Sequence, residues 1–235
     1  MLHGIMLLVM VHWFLISVTY LREISWLAIL GAGLLFLLGW LKRDGVKRAL
    51  AWLTQHKKGF LLGAIVFQLI VMVCAELLIR RDAAVVFKGA FELLKQSSIT
   101  NYLSRNPNNI PLFLYEKFFY VLFGSSGLWV MQVLNMLYVN LGAVLLYKLS
   151  QKHFNQKTAD LVYLFYVSLI CYSPYFYSMY TDIPPLPLIA LQLWWSLDLL
   201  KENQAGISWK KMFGLGILSG VTMLIRPTTI IVMIA

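Results

Sequence analysis

The chain has 235 residues, 60% of them hydrophobic and only 13% charged, with a mean hydropathy of +0.74. An ordinary soluble domain carries roughly 25% charged residues, so a water-soluble globule is excluded: a core of this size cannot hide so much apolar surface, whereas lipid solvates it. The net charge of +10 would suggest nucleic-acid binding in a soluble protein, but its distribution excludes that reading.

The basic residues fall into three loops. Lys42, Arg43, Lys47, Arg48, Lys57 and Lys58 share the first, Lys148, Lys152 and Lys157 the second, and Lys201, Lys210 and Lys211 the third. The acids among them are Asp44 and Glu202. This is a positive-inside pattern, which places the three loops and the N-terminus in the cytoplasm. Spanning backbone must satisfy its own hydrogen bonds, as helices or as a closed barrel. Barrel strands alternate apolar and polar residues over about ten positions. The apolar runs here are unbroken and longer, so helices are expected.

Taken in chain order, residues 5–20 and 26–41 form spans 1 and 2, separated by the polar turn Arg22-Glu23-Ile24-Ser25. The first run lacks a basic n-region and a small-residue cleavage site, so it reads as a retained helix. The basic loop 42–58 follows, then span 3 at 59–79. Residues 83–94 form an amphipathic helix on the outer face, with Phe87, Phe91 and Leu94 at i, i+4, i+7 and Lys88, Glu92 and Lys95 on another face. Pro107-Asn108-Asn109 signals a turn or helix start.

Residues 111–123 are too short for a span, which needs about 20 residues, and Glu116 and Lys117 interrupt them. Were they to cross, the later basic loops would change sides. They therefore read as an interfacial or re-entrant helix. Spans 4, 5 and 6 occupy 128–147, 159–177 and 186–200, and span 7 starts near Met212 and contains Arg226-Pro227.

The fold class is thus an all-α membrane protein with about seven transmembrane helices, an outer-face amphipathic helix and a short re-entrant or interfacial helix. Residues 1–58 form an N-terminal two-helix extension with its basic loop, and 59–235 a transmembrane core. The last residues lie inside an apolar run with no interfacial anchor, which reads as C-terminal truncation. Cys74 and Cys171 both lie in apolar runs, as packing residues and not a disulfide framework.

Asp82, just beyond span 3, reads either as a general base at the membrane boundary or as a helix N-cap. Arg80 and Arg81 beside it read as phosphate ligands or interfacial anchors. Asp182, in the outer turn before Pro184 and Pro185, reads as a second site acid or as a cap for span 6. Arg226 lies within an apolar run, where a charge is costly and needs a partner or a role. It either contacts a lipid phosphate, pairs with an acid such as Glu76, or snorkels at a helix end broken by Pro227. Tyr102, Arg105, Asn106, Asn108 and Asn109 give the outer loop sugar- or phosphate-competent donors, or simply a solvated surface. Tyr175, Tyr177 and Tyr180 form an interface belt or a carbohydrate platform, and Trp194-Trp195 a belt. The sequence has no Gly-rich phosphate loop, HExxH, GxSxG, DxD or Cys/His cluster of metal spacing.

The order of parts resembles the membrane-embedded GT-C glycosyltransferases, such as the protein O-mannosyltransferases and aminoarabinose transferases. An acid follows a helix in "RRDAAVVFKGAFELL". A polar loop leads to a short helix in "NPNNIPLFLYEKFFYVLFG". Then come the basic turn "LLYKLSQKHFNQKTADL", the outer turn "YSMYTDIPPLPL" and the helix "GLGILSGVTMLIRPT". The resemblance runs from about Gly59 onward; spans 1 and 2 precede the family's usual first helix.

It implies sugar transfer from a polyprenyl-phosphate donor to a glycan or protein acceptor of the cell envelope, at the extracytoplasmic face. It makes Asp82 the catalytic base. It makes Asp182, Arg81, Arg105, Asn108, Asn109, Tyr102 and Arg226 substrate contacts. The implied partners are the bilayer and the lipid-linked sugar, with no nucleic acid. No cofactor is called for beyond the donor; a divalent metal is compatible, though no DxD motif supports one. Two other classes compete: a transporter or flippase of lipid-linked saccharides, which should show inverted repeats and broken helices meeting at midplane, and a non-catalytic envelope assembly subunit.

Overall fold

The computed structural model describes residues 43–75, 79, 81–177, 180–202, 209–226 and 229. Expected spans 1 and 2, Glu76 and Arg80 lie outside the described residues. The described residues are mainly helical, with no strand among them. The chain divides into two units, Met1–Gln55 and His56–Ala235. The first contributes α1 (Arg43–Gln55), where a basic loop was expected. Its Val46, Leu50 and Leu53 recur at i, i+4, i+7, with Arg43, Lys47 and Arg48 at other positions, which is an amphipathic pattern.

The second unit opens with α2 (Lys57–Cys74). Its buried stripe is Ala64, Gln68 and Met72, while Leu62, Val66, Leu69, Ile70 and Val73 are exposed. A polar residue inside and branched aliphatics outside is the inverse of a soluble helix. Two stretches are long and apolar enough to cross a membrane, Lys57–Cys74 and Pro107–His153. Cys74 is exposed and Cys171 buried, both as free thiols, so only Cys171 packs as expected.

Next come α3 (Arg81–Ala90) and α4 (Gln96–Arg105). The helix expected to reach Leu94 stops short. Glu92 turns to φ 60°, and Leu93 N–H donates to the Lys88 carbonyl at 2.7 Å while Glu92 N–H reaches that of Gly89 at 3.3 Å. This is a Schellman closure with glutamate where glycine is usual. The Glu92 carboxylate meets Lys117 at 2.6 Å, which ties the strained turn to α5. Helix α4 replaces an expected polar loop and is held by the buried Ile99.

A short 3₁₀ turn, Pro107–Asn109, leads into α5 (Ile110–Phe123). Fourteen residues rise only about 21 Å, against the roughly 30 Å hydrocarbon core. Gly124, at φ 59°, ends α5 in a conformation that suits glycine. Helix α6 (Gly127–His153) then doubles back along it. A Cβ on Gly127 would lie 2.7 Å from the Phe119 carbonyl oxygen, so this corner requires glycine.

Helix α6 is the axis, touching α2, α5, α7 and α8. Its buried residues include Gln132, Asn135 and Ser150. Asn140 Nδ2 donates to Gln68 Oε1 at 2.7 Å, and Gln68 Nε2 donates to the Cys171 carbonyl at 2.8 Å. Helix α7 (Gln156–Tyr166), capped by Asn155, opens into a π turn over Val167–Cys171 and then a 3₁₀ turn, Pro174–Tyr177. A continuous span was expected over 159–177. The wide turn instead leaves the Cys171 carbonyl available to Gln68, and Pro174 cannot extend an α-helical ladder. Helices α8 (Leu186–Glu202) and α9 (Trp209–Ile225) complete the unit, joined by Gln192 Nε2 donating to Ser219 Oγ at 2.9 Å.

The two ends of this unit differ. Lys57 meets Asp160 at 2.8 Å and hydrogen-bonds Tyr147, and Lys152 meets Asp198 at 2.7 Å. The opposite end, where Tyr177 donates to the Ala75 carbonyl, carries Asp82, Asn109 and Asp182.

The Glu92–Lys117 hydrogen bond and charge hold Glu92 below its usual value of 4.5. A depressed carboxylate stabilises the fold above that usual value and loses the contribution as pH falls through the lowered one. In NMR titration the Glu92 midpoint is expected below 4.5, moving back toward 4.5 in Lys117→Gln. A midpoint that does not respond to the substitution would contradict the tie.

Candidate functional site

The site grows from three segments that end at the same place. Helix α3 brings Asp82 in its first turn, exposed. It lies one residue inside the helix, where a carboxylate complements the N-terminal dipole without being the cap. The α4–α5 junction brings Tyr102 and Asn109, and the turn before α8 and the end of α9 bring Thr181, Asp182 and Arg226.

Asn109 is buried, and its Nδ2 donates to the Tyr102 hydroxyl at 2.7 Å. That oxygen therefore accepts, and its own proton is directed elsewhere. The Asp82 carboxylate lies near this hydroxyl: burial raises the Tyr102 hydroxyl above its usual range, followed by the charge of Asp82. Asp82 itself is exposed, so its carboxylate is open to an external hydroxyl.

The cationic half is adjacent. Arg226 Nη2 lies 2.6 Å from Asp182 Oδ1, and Nη1 donates to Thr181 Oγ1 at 3.2 Å. Its guanidinium carbon stands 5.2 Å from the centre of the Tyr180 ring, a cation–π stack. Tyr180 is also close enough to act on the Tyr102 hydroxyl, so the two halves share one neighbourhood. Beside them is a cavity of about 210 Å³ lined by Pro111, Leu112, Tyr138, Thr181, Leu188 and Ile225 among others. Its walls are mainly apolar, and Thr181 belongs to both the cavity and the Arg226 cluster.

Several expectations change. Arg226 pairs with Asp182; the pairing expected with Glu76 falls on a residue outside the described ones. Asp182 does not cap α8, which begins four residues later at Leu186. Arg105 is exposed at the end of α4. Asn108 is exposed too, with a long 3.4 Å contact to Asn109 Oδ1. The backbone of Arg81 opens α3, but its side chain lies outside the described residues, as does that of Tyr175. Tyr177 donates to the Ala75 carbonyl, and Tyr180 stands at the site. Among the described residues, no group of three or more His, Cys, Asp or Glu is arranged to hold a metal.

Residues 6–235 match the family described as conserved hypothetical integral membrane protein. The chain belongs to that family. Membership makes the bilayer its environment, which accounts for the exposed aliphatic faces of α2 and α6. No curated protein and no solved structure matches the chain.

Sequence reasoning passed over Thr181 and over the depth of Glu116. Leu112, Glu116 and Phe119 form the buried face of α5. Glu116 is 0% exposed, and neither carboxyl oxygen has a hydrogen-bond partner among the described residues. The i, i+4, i+7 spacing with two apolar neighbours was the available signal. A buried, unpaired carboxylate is costly, and its isosteric amide carries less of that burden. Glu116→Gln should melt no lower than wild type in detergent, and about 2–4 °C higher for each 1 kcal/mol relieved. A fall of several degrees would show that the carboxyl makes a charged interaction.

Proposed function

We propose that this integral membrane protein is a glycosyltransferase that moves a sugar from a polyprenyl-phosphate donor to a hydroxyl of a cell-envelope acceptor. The observation that carries this reading is the placement of an exposed carboxylate, Asp82, at the same end of the bundle as an arginine cluster and an apolar cavity. Each part answers one need of the reaction. The cavity suits an isoprenoid segment, the guanidinium a phosphate, and the carboxylate an acceptor proton.

In the proposed step the acceptor oxygen attacks the anomeric carbon while its proton passes to Asp82. The bond from the anomeric carbon to the phosphate oxygen breaks, and its electron pair leaves with the polyprenyl phosphate. Arg226 stabilises the charge that develops there. Asp182, Thr181 and Tyr180 fix the guanidinium, and the Asn109–Tyr102 pair stands near Asp82. The resemblance to the GT-C enzymes supports the same assignment, since their first outer acid corresponds to Asp82.

This reading takes the chain as multi-pass, with about seven spans and α5 as the short interfacial helix. The N-terminus and the basic loops are cytoplasmic, and Asp82 and Asp182 are extracytoplasmic. The segregation of Lys57, Lys152, Lys210 and Lys211 from the Asp82 end supports that orientation.

In proteoliposomes supplied with a labelled polyprenyl-phosphate sugar and membrane acceptor, Asp82→Asn should lower transfer by about 10²–10⁴-fold, the usual worth of a general base. Tyr102→Phe, which keeps Asp82 but removes the hydroxyl near it, should cost about tenfold. Undiminished transfer in Asp82→Asn, with the protein inserted and folded, would remove the catalytic assignment.

A further inference from the structure

Helix α5 carries an acid that the Asp82–Arg226 site does not use. Glu116 is 0% exposed, and neither of its carboxyl oxygens has a hydrogen-bond partner among the described residues. It shares the buried stripe of α5 with Leu112 and Phe119. A dry setting of this kind accepts a neutral carboxylic acid far more readily than an ion without a counter-charge.

The groups around Glu116 supply no such charge. On α5 itself, Tyr115 lies near enough for a Glu116 charge to act on it, and Lys117 pairs with the exposed Glu92 at 2.6 Å. Helix α6 presents Met131 and, beside Tyr115, Tyr138. Helix α3 presents Ala90 and Phe91, and α9 meets α5 at the cavity through Ile225.

Helix α5 can move as a unit. Two 3₁₀ turns bracket it, Pro107–Asn109 before it and Gly124–Ser126 after it. One of its faces, with Leu114, Phe118, Val121 and Leu122, is already exposed. In a bilayer, apolar contacts hold such a helix to its neighbours only weakly, because lipid replaces them well. The packed side closes the cavity with Pro111, Leu112 and Tyr115. The polar group on that side therefore decides whether it stays packed.

We infer that Glu116 is a proton-binding site that latches α5 over the cavity. The neutral acid keeps the helix packed. When its O–H proton passes to water, the carboxylate needs hydration, and α5 leaves the bundle to obtain it. Released α5 holds one proton fewer than packed α5. Packing is thus firmest at low pH, and above the ordinary carboxyl range of about 4.3 the balance moves about tenfold toward release per pH unit. The latch acts whatever ligand the cavity takes, so it does not depend on sugar transfer.

Two measurements on the full chain in lipid nanodiscs test it. At neutral pH, the infrared spectrum of the wild type should contain the carbonyl band of a neutral carboxylic acid that Glu116→Gln lacks. That band should give way to carboxylate at about pH 10, beyond the range documented for buried glutamates. Spin labels at the exposed Phe118 of α5 and Leu137 of α6, with Cys74 replaced by serine, should report one short distance at low pH. A second, longer distance should appear and dominate by about pH 10. Glu116→Gln should keep the short distance throughout, which separates the latch from general alkaline unfolding. The infrared measurement needs no label and decides where the labelled chain folds poorly. Absence of the acid band, an unchanged distance at the higher pH, or the same opening in Glu116→Gln would overturn the proposal.

Discussion

A guanidinium placed at the end of an apolar helix must find a counter-charge, and the contact between Arg226 and Asp182 at 2.6 Å is where this chain provides it. The pair brings the end of α9 to the turn before α8, with Thr181 and Tyr180 completing the seat. Once that seat exists, the neighbouring positions follow. Tyr102 lies near both Tyr180 and Asp82, and Thr181 and Ile225 wall the adjoining cavity. The same rule governs the bundle below. Gln68, Asn140 and the Cys171 carbonyl satisfy one another inside, leaving aliphatic side chains for lipid. Polar contacts act here as the specific ties between helices, because apolar side chains gain little by leaving a hydrocarbon solvent.

Composition alone made the chain helical and membrane-embedded, since the 13% of charged residues sit almost wholly between apolar runs. The shortness of α5 and the oddity of Arg226 were also legible, because length and a misplaced charge are local properties. The partner of Arg226 was not. Asp182 is far away along the chain, and one sequence carries no sign of which distant acid will reach a given arginine. Helix α4 was hidden for a related reason: its polar residues read as a loop, and the burial of Ile99 against the rest of the fold helps to hold it as a helix. The π turn in the middle of an expected span left no compositional mark, because it is required by Gln68 on another helix. At Glu92 a local rule was broken visibly, with a glutamate in the left-handed position; Lys117, on the helix that packs against it, explains the exception.

The two ends of the bundle divide the chemistry between them. At one, Asp82 stands near the hydrogen-bonded pair of Asn109 and Tyr102, with a cation and an apolar cavity at the same end, an arrangement that fits an amphiphilic, phosphate-bearing substrate. At the other, lysines and tryptophans form the polar edge of a lipid-facing surface. Glu116 stands apart from both, buried on α5 one turn beyond the cavity-lining Leu112.

The central claim is that the Arg226–Asp182 pair organises the Asp82 end. A charge-swap cycle measures it without any substrate. Arg226→Asp and Asp182→Arg should each lower the melting temperature in detergent. The double swap should recover a substantial part of the loss, with a coupling of about 1 kcal/mol or more. Additive losses, with no recovery in the double swap, would contradict the account.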